Sequence, residues 1–123
     1  YTVYPIGRIR RTDGRTQIVV DKELASGLHG LEACSHVWVI HWSDRNDTRQ
    51  KRSILQVHPS GDKSKPLRGV FASHSSVRPN PIITSRCKVL SVKGNIIEIG
   101  PIDVLTDTPV LDLKKLDDDS RAY

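Results

Sequence analysis

Residues 68–85 read RGVFASHSSVRPNPIITS. The stretch opens on Val70-Phe71-Ala72, a short apolar run that predicts a buried strand. It turns polar through Ser73-His74-Ser75-Ser76 and reaches Arg78-Pro79-Asn80-Pro81. Each proline fixes its own φ and pushes the residue before it into extended geometry. Arg78 and Asn80 therefore sit on stiffened backbone, and alternate positions of an extended chain point their side chains the same way. A loop of this kind can aim a guanidinium and a carboxamide together into a site. It can equally be a tight connection between strands with Arg78 solvated, and these residues alone leave both readings open.

Outward from this stretch, turns punctuate the chain at short intervals. Val3 to Arg11 alternates as a strand, Thr12-Asp13-Gly14-Arg15 is a hairpin turn, and Thr16 to Val20 is its partner. Asp21 is placed to cap a short helix from Lys22 to Ser26 that Gly27 stops. His36 to Trp42 has high β-propensity, and Arg52 to His58 alternates again. Pro59 to Pro66 is a loop. After Pro81 a strand runs to Val92, Lys93-Gly94-Asn95 turns it, and Ile96 to Ile99 pairs back. Gly100-Pro101 ends that run, and Val110 to Leu113 is a last strand. Many short strands with regular turns define a mostly β chain, a barrel or a sandwich.

With 123 residues the chain makes a single domain, 1–123, large enough for a real core. No apolar run reaches the length of a bilayer span, and the start carries no signal-peptide pattern. The chain opens at Tyr1 rather than methionine, which predicts trimming at that end. Cys34 and Cys87 stand in apolar contexts without CxxC spacing, so both read as buried free thiols of a reducing, cytoplasmic compartment. The histidines show neither HxH nor HxxxH spacing, and no metal site is expected. His36 reads as a structural hydrogen bonder at a strand start, and His29 and His58 as surface loop residues.

The formal charge is +5, from 19 Lys and Arg against 14 Asp and Glu, which favours an anionic partner such as RNA. The cations cluster at Arg8, Arg10, Arg11 and Arg15, again at Arg45, Arg49, Lys51 and Arg52, and at Lys63, Lys65 and Arg68. On one face they would form a footprint for phosphates. Asp117-Asp118-Asp119 makes the tail acidic. Aromatic residues are too few for a broad base-stacking platform.

The 68–85 stretch resembles the GVFATRSPxRPNPIGLS signature of the TsaA-like (TrmO-type) proteins. Further segments extend the resemblance in the family's order. Residues 5–10, PIGRIR, are similar to its opening strand. Residues 30–39, GLEACSHVWV, are similar to GLEGFSHLWVL, and residues 108–114, TPVLDLK, to GTPVLDIKPY. The resemblance implies a closed, S-adenosylmethionine-binding β-barrel with a short helix and loops. It also implies a homodimer that methylates N6-threonylcarbamoyladenosine in tRNA.

The resemblance carries the cofactor contacts to Asp44 and Arg45, to His74, to Thr84, and to Pro101, Ile102 and Asp103 within the segment that begins at Gly100. Arg78 and Asn80 stand unchanged from the signature and would shape the pocket. The sulfonium already activates the methyl, so such a protein has mainly to hold donor and acceptor in line. No residue is an obvious general base, and His74 and Asp112 are the candidates. Each has a plainer reading: Asp44 as a turn cap, Asp103 and Asp112 as acceptors for turn amides.

The departures from the signature are specific. Only residues 10–29 separate Ile9 from Gly30, too few for the family's long cofactor loop. Ile83 replaces a glycine, His74 replaces an arginine, and Asp107 replaces the glycine of the DGTP turn. Aspartate tolerates the left-handed region better than most residues, so that turn is expected to survive. These changes fall in ligand-facing parts. They keep two other functions in view beside the methyltransferase: a non-enzymatic module binding S-adenosylmethionine or a nucleoside, and an RNA-binding barrel without cofactor.

Overall fold

The computed structural model describes residues 1–116, so the acidic run Asp117-Asp118-Asp119 lies outside the described residues. In chain order the strands are β1 (Gly7–Thr12), β2 (Arg15–Val20), β3 (His36–Trp42), β4 (Gln56–Val57), β5 (Arg68–Gly69), β6 (Ile82–Lys93), β7 (Ile96–Ile99) and β8 (Pro109–Leu116). Among the described residues α1, Arg49–Arg52, is a short α-helical turn, and several 3-10 turns accompany it. The chain divides into two compact units, Tyr1–His41 with Thr84 onward, and Trp42–Ile83.

The first unit is built on the expected closed barrel, in the order β1-β2-β7-β6-β3-β8. Closure satisfies every strand edge, the exposed feature that most open sheets must protect. Strand alternation sends Ile9, Ile18, Val20, Val37, Val39, Cys87, Ile97, Ile99 and Val110 into one core, which Leu28 and Ile102 join from outside the strands. The β1–β2 hairpin turns through Asp13 (φ 52°) and Gly14 (φ 75°), the paired left-handed geometry that suits a two-residue Asp-Gly loop. Gly7 is required for a different reason. A Cβ there would lie 2.4 Å from the Val19 carbonyl oxygen on β2, so only glycine lets these strands approach.

The DGTP-like turn survives its substitution. Asp107 holds φ 70°, its amide donates to the Ile9 carbonyl at 2.7 Å, and its carboxylate pairs with Arg10. A glycine gives this turn only conformational freedom. The aspartate adds a tie to β1.

Several local expectations are corrected. The first strand begins at Gly7, not Val3, and Val3 and Tyr4 stand exposed. Residues 22–28 form a 3-10 helix that runs past Gly27 to bury Leu28, and Asp21 makes no side-chain cap bond. Val70-Phe71-Ala72 is a 3-10 turn rather than a strand. Only Val70 is buried there, Phe71 is 77% exposed, and Ser73 closes the turn by donating from both N and Oγ to the Val70 carbonyl. Residues 52–58 do not form one strand. Thr48 Oγ1 accepts from the Lys51 amide and caps α1, which leaves Gln56–Val57 to pair with Arg68–Gly69. Cys87 is buried, but Cys34 is only partly so.

Candidate functional site

The Trp42–Ile83 unit carries the serine-rich turn and the Pro-x-Pro loop. Residues 78–80 bend instead of running extended, and the Ile82 amide turns back to the Asn80 carbonyl at 2.7 Å. The two side chains expected to point together go to different partners. Arg78 is half-buried, and its NH1 group donates to the carbonyls of Ser73 (3.3 Å) and Ser75 (3.0 Å). It thereby holds the carbonyls on either side of His74. The Asn80 side-chain oxygen accepts from Arg52 NH2 at 2.9 Å.

Arg52, expected to open a strand and counted among the basic residues, is instead the centre of a network at the end of α1. Its Nε donates to the Pro79 carbonyl at 2.7 Å, its NH1 to Asp47 Oδ1 at 2.9 Å, and its guanidinium lies 5.6 Å from the centre of the Trp42 ring. Trp42 Nε1 donates to the second Asp47 oxygen at 3.3 Å. A planar fork with fixed donors suits this divergent set better than a lysine ammonium. Asn46 adds a second bridge, donating to Ser43 Oγ at 2.7 Å and Ser76 Oγ at 2.9 Å.

These ties shape a cleft of about 640 Å³ within the same unit. Its lining includes His58, Arg68, Phe71, His74, Ser75 and Ser76, and no carboxylate among the described residues. Ser75 Oγ accepts from the Val77 amide and Ser76 Oγ from Asn46. Each hydroxyl hydrogen is then available as a donor. Hydroxyls, imidazoles and a guanidinium without a carboxylate favour a ligand rich in acceptors or negative charge.

Of the residues singled out in sequence, His74 lines this cleft, while Asp44, Arg45, Arg78 and Asn80 share the unit without lining it. Asp44 opens a 3-10 turn as its first residue, and the cap position belongs to Ser43. The Arg45 carbonyl accepts from Lys51 Nζ at 3.0 Å. The other candidates lie in the barrel unit. Thr84 is exposed on β6, Pro101 and Asp103 are exposed, and Ile102 is buried in the core. Asp112 Oδ1 accepts from the Leu113 amide at 2.8 Å, the backbone role weighed for it above. His58, Arg68 and Ser76 were missed as lining residues because their spacing matches no motif.

The first basic cluster is internally paired. Arg8 donates to the Asp107 carbonyl, Arg10 pairs with the Asp107 carboxylate, Arg11 donates to the Ile102 carbonyl, and Arg15 pairs with Glu98. In the same unit His41 is 3% exposed, its Nε2 is 2.9 Å from Ser85 Oγ, and burial lowers its pKa. His36 Nδ1 meets Ser35 Oγ at 3.0 Å, as expected of a structural histidine.

A closed six-stranded antiparallel barrel, together with a unit that holds a cationic, hydroxyl-lined cleft, defines a small β-barrel domain class. Comparison makes the assignment particular. Residues 3–118 match the model of the tRNA-methyltransferase O N-terminal domain, and the chain belongs to that family. It is 40% identical to a probable S-adenosyl-L-methionine-binding protein of Methanocaldococcus jannaschii, over 93% of this chain and 90% of that one. It is 29% identical to the tRNA (adenine(37)-N6)-methyltransferase of Escherichia coli K12, over 88% of this chain and 47% of the relative. A crystal structure of TrmO superposes with a TM-score of 0.74 and 26% identity, covering all of this chain and 60% of that one. The chain thus spans less than two thirds of the TrmO chain and about half of the Escherichia coli enzyme.

Proposed function

We propose that this protein is an S-adenosylmethionine-dependent methyltransferase acting on tRNA, at the N6 nitrogen of N6-threonylcarbamoyladenosine. The observation that carries the reading is the cleft lined by His58, Arg68, His74 and the Ser75 and Ser76 hydroxyls. Its volume suits a cofactor-sized ligand. The lining fits the cofactor's acceptors and its adenine: Arg68 for the carboxylate, the hydroxyls for ribose and adenine acceptors, and Phe71 for the flat ring. When bound, the cofactor supplies an activated methyl on a sulfonium. The chain's own residues hold and orient it, with Arg78 fixing the serine-rich turn and Arg52 fixing the loop that follows.

In this reading Asp44, Arg45, Arg78 and Asn80, which share the unit of the cleft, support the cofactor site. The protein works as a homodimer in the cytoplasm, and the exposed Leu55 and Leu67 side chains support self-association.

Calorimetric titration with S-adenosylmethionine and S-adenosylhomocysteine, followed by methyl transfer to bulk tRNA, tests the proposal. Saturable binding near one per chain with transfer supports it. Binding without transfer identifies a non-enzymatic cofactor-binding module. A folded protein that binds neither compound but binds RNA in a salt-sensitive way is an RNA-binding barrel.

A further inference from the structure

His58 differs from the other histidine of the cleft in being oriented. Its Nδ1 lies 2.8 Å from the Lys65 carbonyl oxygen. A carbonyl can only accept, so Nδ1 carries the hydrogen of that bond. The neutral imidazole then has its lone pair on Nε2, the nitrogen left for the cleft that His58 lines. His74 lines the same cleft, but its ring has no hydrogen-bond partner among the described residues. Asp112, the other candidate base, is engaged by the Leu113 amide. A proton acceptor held by a second group in a fixed tautomer is the arrangement that base catalysis requires.

The loop that provides this second group is itself ordered. Pro59–Gly61 forms a 3-10 turn, and Asp62 Oδ1 accepts from both the amide (3.0 Å) and the hydroxyl (2.6 Å) of Ser64. The Lys65 amide returns to the Asp62 carbonyl at 3.0 Å. Residues 58–65 are thus a closed loop with the His58–Lys65 bond across its base, and that bond fixes the ring relative to the chain that carries it.

We infer that His58 is the general base of the methyl transfer, with Nε2 accepting the hydrogen of the attacking nitrogen. This inference rests on the methyltransferase reading above. The step balances simply. The attacking N–H nitrogen forms a bond to the methyl carbon and the carbon–sulfur bond breaks, its electron pair staying on sulfur. The displaced proton passes to His58 Nε2 and then to water.

The test uses the full chain and two variants. His58→Asn keeps a donor for the Lys65 carbonyl and has no imidazole, whereas His58→Ala removes both. In ¹⁵N-histidine-labelled wild type, ring-nitrogen NMR should find the neutral His58 protonated on Nδ1 and bare on Nε2. Both variants should transfer methyl at least about a hundredfold more slowly when S-adenosylmethionine is saturating. Three results overturn the assignment: the Nε2–H tautomer, wild-type turnover in His58→Asn, or turnover lost in His58→Ala and restored by His58→Asn, which marks a purely structural bond. A wild-type protein that binds the cofactor but transfers no methyl overturns the underlying reading and with it the catalytic role.

Discussion

Arg52 NH2 donates to the Asn80 side-chain oxygen at 2.9 Å, joining α1 to the Pro-x-Pro loop across 28 residues of sequence. The bond also sets the amide's orientation. With its oxygen engaged, Asn80 presents its NH₂ group outward as a donor.

Replacing Arg52 by alanine should loosen residues 79–80 and unstack Trp42. Hydrogen bonds to charged groups contribute about 1.5–3 kcal/mol, and partial exposure places this network near the lower figure. Hydrogen exchange should show faster amides around Ile82 while the barrel strands stay protected. Arg52→Lys should recover little, because an ammonium cannot reach the same fork of partners. Wild-type protection in Arg52→Ala would refute the network's role.

Asp107 tests the meaning of a left-handed residue that is not glycine. Its ion pair with Arg10 is exposed on both sides and contributes little. Asp107→Gly should therefore change stability by less than about 1 kcal/mol. Asp107→Val places a β-branched residue at φ 70° and should be less stable than Asp107→Gly by about 1–2 kcal/mol or more. Urea unfolding of the pair reads the difference directly.

His41 makes stability depend on pH. Burial holds its pKa below the ordinary 6.5, so the unfolded chain takes up a proton more readily than the native one. The contribution is fully present above about pH 6.5 and is lost as the pH falls towards the lowered native value. Thermal unfolding of wild type should weaken across that window, and His41→Gln should weaken less. Parallel curves would show that His41 is not responsible.

The two thiols should separate kinetically. Burial pushes the Cys87 pKa up to about 11, whereas Cys34 is partly exposed and only weakly engaged, its sulfur 3.8 Å from the Gly30 carbonyl. In native protein at pH 8 a disulfide reagent should label Cys34 and leave Cys87 until unfolding. Cys34→Ser should abolish the native phase.

What could be read from the linear chain was what the chain decides locally. The Asp13-Gly14 turn, the strand His36–Trp42 with its alternate burial, and the turn before Ile96 follow from neighbouring residues. Val70-Phe71-Ala72 defeated the same logic, because three apolar residues do not say which of them is buried. The site was harder still. Arg52 and Asn80, or His58 and Lys65, acquire meaning only when folding supplies the partner. The similarity to known signatures marked Arg78 and Asn80 but not what they bond. His58 passed as a loop residue because no spacing announces a tautomer.

The pairing of the four arginines that open the chain has an ionic-strength consequence. A cation whose charge is already compensated by a carboxylate, as in Arg10–Asp107 and Arg15–Glu98, adds little to counterion release. The side chains of Arg45, Arg49, Lys63 and Lys65 make no hydrogen bond or ion pair among the described residues. For a polyanionic partner, the slope of log K against log salt should then track charge removal at these positions and hardly change with Arg10 or Arg15. The formal charge of +5 is thus a poor guide to how this protein senses salt.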